Sequence, residues 1–296
     1  MAYVANAVGH NKKTSARRGR WTPYLLLMPG MFWLITFFLL PIIKLFDKAT
    51  QSPGDNIGQF VQTWSFSNYW DSFWGAKAQF GRSFLFSFLA TLLALLISYP
   101  LAYAIAFKSG KWKNTLLVLV VAPFYTSFIL RTIAWEQILG NQGPVLGILR
   151  TLHLANSNTH ITASSFAVVA GLTYNFLPFM TLPLYASLER IDPRVLEASG
   201  DLYANSWKTF FRVTFPLSSP GVLAGTLLTF IPAAGDYINA DILGNPGTKM
   251  IGNVIDAHFF QTTDYPGAAA LSIILMLTIL ILVLLYIRRF GTEELV

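Results

Sequence analysis

From Gly267 to Ile287 the chain runs without a single charge, and "LSIILMLTILILVLLYI" at 271–287 is almost wholly apolar. A helix on the surface of a soluble domain keeps one polar side for water, and this segment has none. Crossing a hydrocarbon layer about 30 Å thick takes roughly 20 apolar residues in a helix. Inside lipid the backbone must satisfy its own hydrogen bonds, so several such segments in one chain imply a bundle of transmembrane helices. Six segments qualify: 23–46, 83–107, 115–139, 165–187, 220–240 and 267–287. The third and fifth carry charged residues and are the least regular. Composition agrees: 12% of residues are charged and 54% hydrophobic, where soluble domains hold roughly 25% charged residues. The apolar stretch that opens at Pro23 exceeds a signal-peptide core and lacks a small-residue cleavage pattern, so it reads as a retained first span. The expected fold class is all-α: a polytopic membrane protein with about six transmembrane helices.

Basic residues orient the bundle. With the N-terminus inside, the inner segments hold Lys12, Lys13, Arg17, Arg18, Arg20, Lys108, Lys111, Lys113, Arg190, Arg194, Lys208, Arg212, Arg288 and Arg289. The outer segments hold only Lys48, Lys77, Arg82, Arg150 and Lys249. Basic residues favour the cytoplasmic side, so this bias places both termini in the cytoplasm. It also accounts for the net charge of +7 without a nucleic-acid partner. The organisation expected is a basic cytoplasmic tail over 1–22, a transmembrane domain over 23–290 and a short cytoplasmic tail over 291–296. Aromatic residues fall at the expected interfaces, Trp21 and Trp112 inside, Trp64, Tyr69, Trp70 and Trp74 outside, where membrane lipids meet water. Residues 47–82 read as an aromatic interfacial loop. Without cysteine there is no disulfide, thiolate metal site or cysteine nucleophile. His10, His153, His160 and His258 are scattered, so no metal site is expected.

The segment 188–219, "LERIDPRVLEASGDLYANSWKTFFRVTFPLSS", is long for an inner connector. Asp192 followed by Pro193 is an N-cap with proline at the first helical position. Asn205 and Ser206 interrupt that helix and can cap a second one, which carries Trp207, Phe210 and Phe211 until Pro216 stops it. Two short amphipathic helices can rest on lipid or dock into a groove on a soluble partner. Four acids (Glu189, Asp192, Glu197, Asp201) balance four bases, and a lipid-surface helix is usually strongly basic, so the residues favour a protein partner.

At these residues the chain resembles the "EAA" coupling loop of bacterial ABC importer permeases, whose pattern runs E-A-A, three residues, G, nine residues, I-x-L-P. The matching positions are Glu197, Ala198 and Ser199, then Tyr203, then Val213, Phe215 and Pro216. Ser199 replaces the second alanine and Tyr203 replaces the glycine that eases the turn; Asn205 just after it tolerates a left-handed backbone. "APFYTSFILRTIAWEQIL", "GLTYNFLPFMTLPLYASLERID" and "IPAAGDYINADILGNPGTKMIGNVI" extend the resemblance over most of 83–287, to polyamine (spermidine/putrescine) permeases. Permeases for phosphonates, thiamine and ferric iron share much of this pattern and leave those solutes open.

The resemblance implies an importer that works by alternating access, with a pair of ATPase subunits, a second homologous permease subunit and an extracytoplasmic substrate-binding protein. ATP and Mg would then sit on the ATPase. This chain has no G-x-x-x-x-G-K-[ST]; "GNPGTK" at 244–249 lacks the spacing.

Ionisable residues within a membrane are costly and mark function by default. Candidates for the pathway of a cation are Glu136 in the third span, and Asp236 and Asp241 in and just beyond the fifth. At ~1.5 Å per residue from the inner end, Asp236 stands about 24 Å up and Glu136 about 31 Å. Gly235, with Pro232 before it, suggests a broken helix that exposes backbone. Tyr125, Trp135, Tyr174 and Tyr237 offer π faces to ammonium groups, although aromatic residues in spans mostly pack. Arg131 is expected to pair with Asp236 or Glu136 across helices. Two other classes compete. An ion-coupled secondary transporter would carry an internal repeat and leave the long loop unexplained. A membrane enzyme would need a catalytic constellation that the scattered histidines do not supply.

Overall fold

The computed structural model describes residues 22–54, 58–154, 156 and 159–290. The basic tail with His10, Trp21 and the segment 291–296 lie outside them. The chain divides into two compact units, Met1–Leu45 and Phe46–Val296.

The described residues of the first unit are helical: α1 (Thr22–Leu34) passes through a π turn (Ile35–Leu39) into α2 (Leu40–Ala49), which ends just beyond the unit. The most apolar 18 residues of Tyr24–Ala49 have a mean hydropathy of 2.2, and none of that stretch is buried within the chain. Such a helix matches the expected first span and is solvated by lipid rather than by water.

In the second unit β1 (Gln51–Pro53) and β2 (Phe60–Gln62) form an antiparallel hairpin, with Ser52 opposite Val61. It leads into α3 (Ser67–Phe107), a helix of 41 residues. This corrects the interfacial loop expected over 47–82: its second half is helix, continuous with the second span. Ala76 and Phe80 alternate with exposed residues at helical spacing and bury against Ile251 and Leu271, which gives the outer turns a core of their own. At 1.5 Å per residue α3 is about 60 Å long, twice the hydrocarbon thickness.

The third span is not one helix. α4 (Lys113–Val121) tightens into a 3₁₀ turn at Ala122–Tyr125, and α5 (Phe128–Leu139) restarts at 97° to it. The cause is local. Pro123 restricts the turn, and Thr126 is extended (φ −101°, ψ 151°), so the helix must begin again. α6 (Pro144–Thr151) lies beyond it. α7 (Ser165–Glu189) matches the fourth expected span, with the Ser164 side chain accepting from Ala167 N.

After the loop helices α8 (Pro193–Asp201), α9 (Ser206–Thr209) and α10 (Phe215–Leu217), the chain bends by 65° at Ser218 into α11 (Ser219–Ala234). α11 ends at Gly235, the expected break, and α12 (Ile238–Ile242) follows after three non-helical residues. α13 (Ile251–Phe260) and α14 (Tyr265–Phe290) complete the unit. Four helices are long and apolar enough to cross a membrane, or up to six if each bent pair is one span.

The centre of the unit is α7, crossed by α3 and α11. Gly221 allows the α7–α11 approach: a Cβ there would stand 2.7 Å from Pro183 O and 2.6 Å from Ser187 Cβ. Gly225, one turn on, faces the backbone of Met180. Small residues four apart let membrane helices meet backbone to backbone, where dispersion and weak polar contacts replace the hydrophobic effect.

Candidate functional site

The inner loop folds as two capped helices. Asp192 Oδ1 accepts from Arg194 N at 2.9 Å with Pro193 at the first helical position, and Asn205 Oδ1 accepts from Lys208 N at 2.9 Å. Between them α8 ends in a Schellman turn: Ala204 N donates to Ser199 O (3.1 Å) and Tyr203 N to Gly200 O (2.9 Å). The left-handed residue of this turn is Tyr203, at φ 55°. Asn205, expected to take that conformation, is extended at φ −74°, ψ 164°. The motif dictates the position: the residue whose N–H closes the shorter of the two bonds must be left-handed, whatever its side chain. A non-glycine residue there costs about 1 kcal/mol or more.

Ser199, a departure from the E-A-A pattern, is buried. It donates to Leu196 O (2.7 Å) and accepts from Thr209 Oγ1 (2.9 Å), so a hydroxyl pair ties α8 to α9. Ser199→Ala is expected to loosen this tie by about 1 kcal/mol. A Ser199→Ala/Thr209→Val double variant should cost less than the two singles together, read from amide exchange across 193–209.

Pro216 does not stop the second helix, as expected from its sequence. A π turn at Phe210–Thr214, with Phe215 N–H reaching back to Phe210 O, widens the helix ahead of the proline. The widening relieves the clash a proline ring makes with the preceding turn, and the helix continues to Leu217.

The loop is bolted to the bundle at several points. Tyr99 of α3 meets the Phe210 and Phe215 rings at 5.3 and 6.1 Å, and its hydroxyl hydrogen-bonds Ser218 Oγ at 2.6 Å. Lys113 pairs with Glu189 at 2.5 Å. Val213 is half-buried, whereas Glu197, Ala198, Leu202, Tyr203, Trp207 and Phe211 face outward. Trp207 and Phe211 stack at 5.9 Å. The outer surface of the loop therefore mixes exposed apolar side chains with four acids and four bases, and its inner surface is joined to α3 and α11.

The intramembrane candidates do not gather into one site. Asp236 turns inward: Oδ1 accepts from Asn239 N (2.9 Å) and Asn239 Nδ2 (3.2 Å), closing the break after Gly235. Asn175 Nδ2 donates to Asn239 Oδ1 (3.0 Å) and Thr132 Oγ1 (3.1 Å). A buried polar chain thus crosses from α12 through α7 to α5. Asn253 Nδ2 supports it by donating to Tyr237 O (2.9 Å), and Gly252 sits where a Cβ would be 2.7 Å from Gly235 O. Glu136, Tyr237, Asp241 and Tyr125 are exposed instead, and Trp135 packs edge-on against Tyr174 at 5.1 Å.

Arg131 pairs with neither acid among the described residues. It is buried, and its guanidinium lies 4.8 Å from the Phe124 ring and 5.6 Å from the Phe128 ring. The 97° break turns α5 so that these aromatic faces, rather than a carboxylate, receive the charge. Sequence reasoning missed Asn175, Asn239 and Thr132, although an asparagine within an apolar span was a visible signal. "GNPGTK" folds as a capped 3₁₀ turn: Asn245 N donates to Thr248 Oγ1 and Gly247 N to Asn245 Oδ1, both at 2.7 Å.

Known proteins resemble this chain. A family model described as "Binding-protein-dependent transport system inner membrane component" matches residues 14–290. The spermidine/putrescine transport system permease protein PotB of Haemophilus influenzae is 39% identical over 178 residues, 60% of this chain and 62% of that protein. PotB of Escherichia coli K12 is 37% identical over 178 residues, 60% of this chain and 65% of that protein. The matched region thus spans less than two thirds of these relatives' length. Among solved structures, a bacterial ABC transporter involved in the import of the acidic polysaccharide alginate aligns with TM-score 0.69 and 18% identity, over 93% of this chain and 96% of that one. The likeness is one of fold.

Proposed function

Since the chain belongs to the binding-protein-dependent transport system inner membrane component family, and so is a multi-pass protein of the inner membrane, we propose that it is the permease subunit of an ATP-driven polyamine importer. Its substrate would be a spermidine- or putrescine-like cation, carried by alternating access. The observation that carries the reading is the loop 188–219: an outward amphipathic surface of balanced charge, held by Tyr99 and Ser218 to the helices it must move. A soluble ATPase subunit docks there. Its closure on ATP and Mg pushes the loop as a rigid body, and the push passes into α3 and α11 without being lost in slack. A second permease subunit of similar fold completes the bundle, and an extracytoplasmic binding protein delivers the solute. The polyamine assignment is supported by the identity with the PotB proteins and by acids within the membrane region, Asp236 among them.

The test is reconstitution of this chain with its second permease, ATPase and binding protein in proteoliposomes. Labelled spermidine should enter only with ATP, and unlabelled putrescine should compete while phosphonate, thiamine and ferric iron do not. Uptake by this chain alone, driven by an ion gradient, would overturn the importer reading. ATP-driven uptake of phosphonate, thiamine or ferric iron in place of the polyamines would overturn only the substrate.

A further inference from the structure

We infer that the Tyr203 ring is a contact with the ATPase subunit that helps decide which ATPase this permease accepts. The inference rests on the coupling role of the loop proposed above. Tyr203 occupies the left-handed position of the Schellman turn, φ 55°, where glycine fits without strain. A side chain at such a position usually recovers its cost through contacts with the rest of the fold. Here it recovers nothing, because the residue is 96% exposed, more than any other large hydrophobic side chain among the described residues. Whatever the ring gains, it gains from outside this chain.

Two surfaces could cover it, and charge separates them. The helix leading into the turn carries Glu197 and Asp201, and the whole loop balances four acids with four bases. An anionic bilayer surface attracts basic segments and gains nothing from this one. A protein groove, in contrast, suits a rigid amphipathic ring beside an exposed apolar neighbour in the chain, Leu202 (81% exposed). An exposed tyrosine is a characteristic interface anchor, with an apolar body to fill a pocket and a hydroxyl to fix its depth. A glycine at the same turn would dock equally on any ATPase with a matching groove, whereas Tyr203 admits only one with room for a ring.

Because the chain has no cysteine, Tyr203→Cys introduces a unique thiol. In lipid nanodiscs with the second permease subunit, a water-soluble maleimide should modify it rapidly, and adding the ATPase subunits should slow the reaction about tenfold or more. Tyr203→Gly should leave the thermal midpoint of the permease equal or higher, yet weaken ATPase binding by roughly tenfold to thirtyfold. Tyr203→Phe should retain most of the binding. Unchanged ATPase affinity in Tyr203→Gly overturns the inference. So does a thiol that the nanodisc already shields before any ATPase is added, which would place the ring in lipid. Glu197→Lys is the control for the underlying reading. If it too leaves docking intact, the loop is not the coupling site. If it abolishes docking while Tyr203→Gly does not, only the role of Tyr203 falls.

Discussion

Glu197→Lys is expected to abolish ATP-driven uptake while leaving the permease folded. Glu197 is exposed on α8 and makes no ion pair among the described residues, so its replacement disturbs nothing within the chain. At a docked surface the same change puts a long cation where a carboxylate met its partner. Reversing one member of a desolvated charge pair costs a few kcal/mol, which is about a hundredfold or more in affinity. ATPase subunits should fail to co-purify with the variant, and permease-stimulated hydrolysis should fall to the level of the free ATPase. Normal thermal stability with normal transport would remove the loop from the coupling pathway.

The second large effect is expected at Asp236, where two substitutions separate two roles. Asp236→Leu removes the acceptor for both Asn239 donors and leaves them buried and unpaired, a loss of about 2–4 kcal/mol. The break between α11 and α12 should loosen, with a lower thermal midpoint and no uptake. Asp236→Asn keeps an oxygen for the Asn239 backbone N–H and removes only the charge. It should fold nearly as well as the parent and raise the KM for spermidine, because a cation crossing this region loses a carboxylate. If uptake by the Asn variant is unchanged, Asp236 serves only to cap the break, and the cation path runs past Glu136 or Asp241.

How legible each element was in the sequence follows the range of the interactions that make it. Spans four and six are long uncharged runs, span one carries only Lys44 near its end, and all three fold where composition puts them. The caps at Asp192, Pro193 and Asn205 depend on neighbours two or three residues away, and local rules found them. The break at Thr126 is different, because it needs only one extended residue after a proline turn inside an otherwise continuous apolar stretch. The outer turns of α3 were missed for another reason. Their stability comes from Ile251 and Leu271, nearly two hundred residues further along the chain. The polar chain through Asp236, Asn239, Asn175 and Thr132 joins residues 43 and 64 positions apart. The chemistry of Asp236 is legible as that of a pathway candidate, whereas the direction of its side chain is set by Asn239 and is not. Arg131 shows the same limit, since an arginine in a span calls for a carboxylate until the fold supplies two phenyl rings instead.

The length of α3 has a mechanical consequence. Its inner half holds the loop through Tyr99, and its outer half is fixed to α13 and α14 through Phe80. If α3, about 60 Å long, were to turn as one body about its middle, it would be a lever with equal arms. Rocking it by about 10° swings each end through about 5 Å, in opposite directions. In that case a stroke applied at one face of the membrane would arrive at the other with the same amplitude and inverted sign, with no relay of side chains between them.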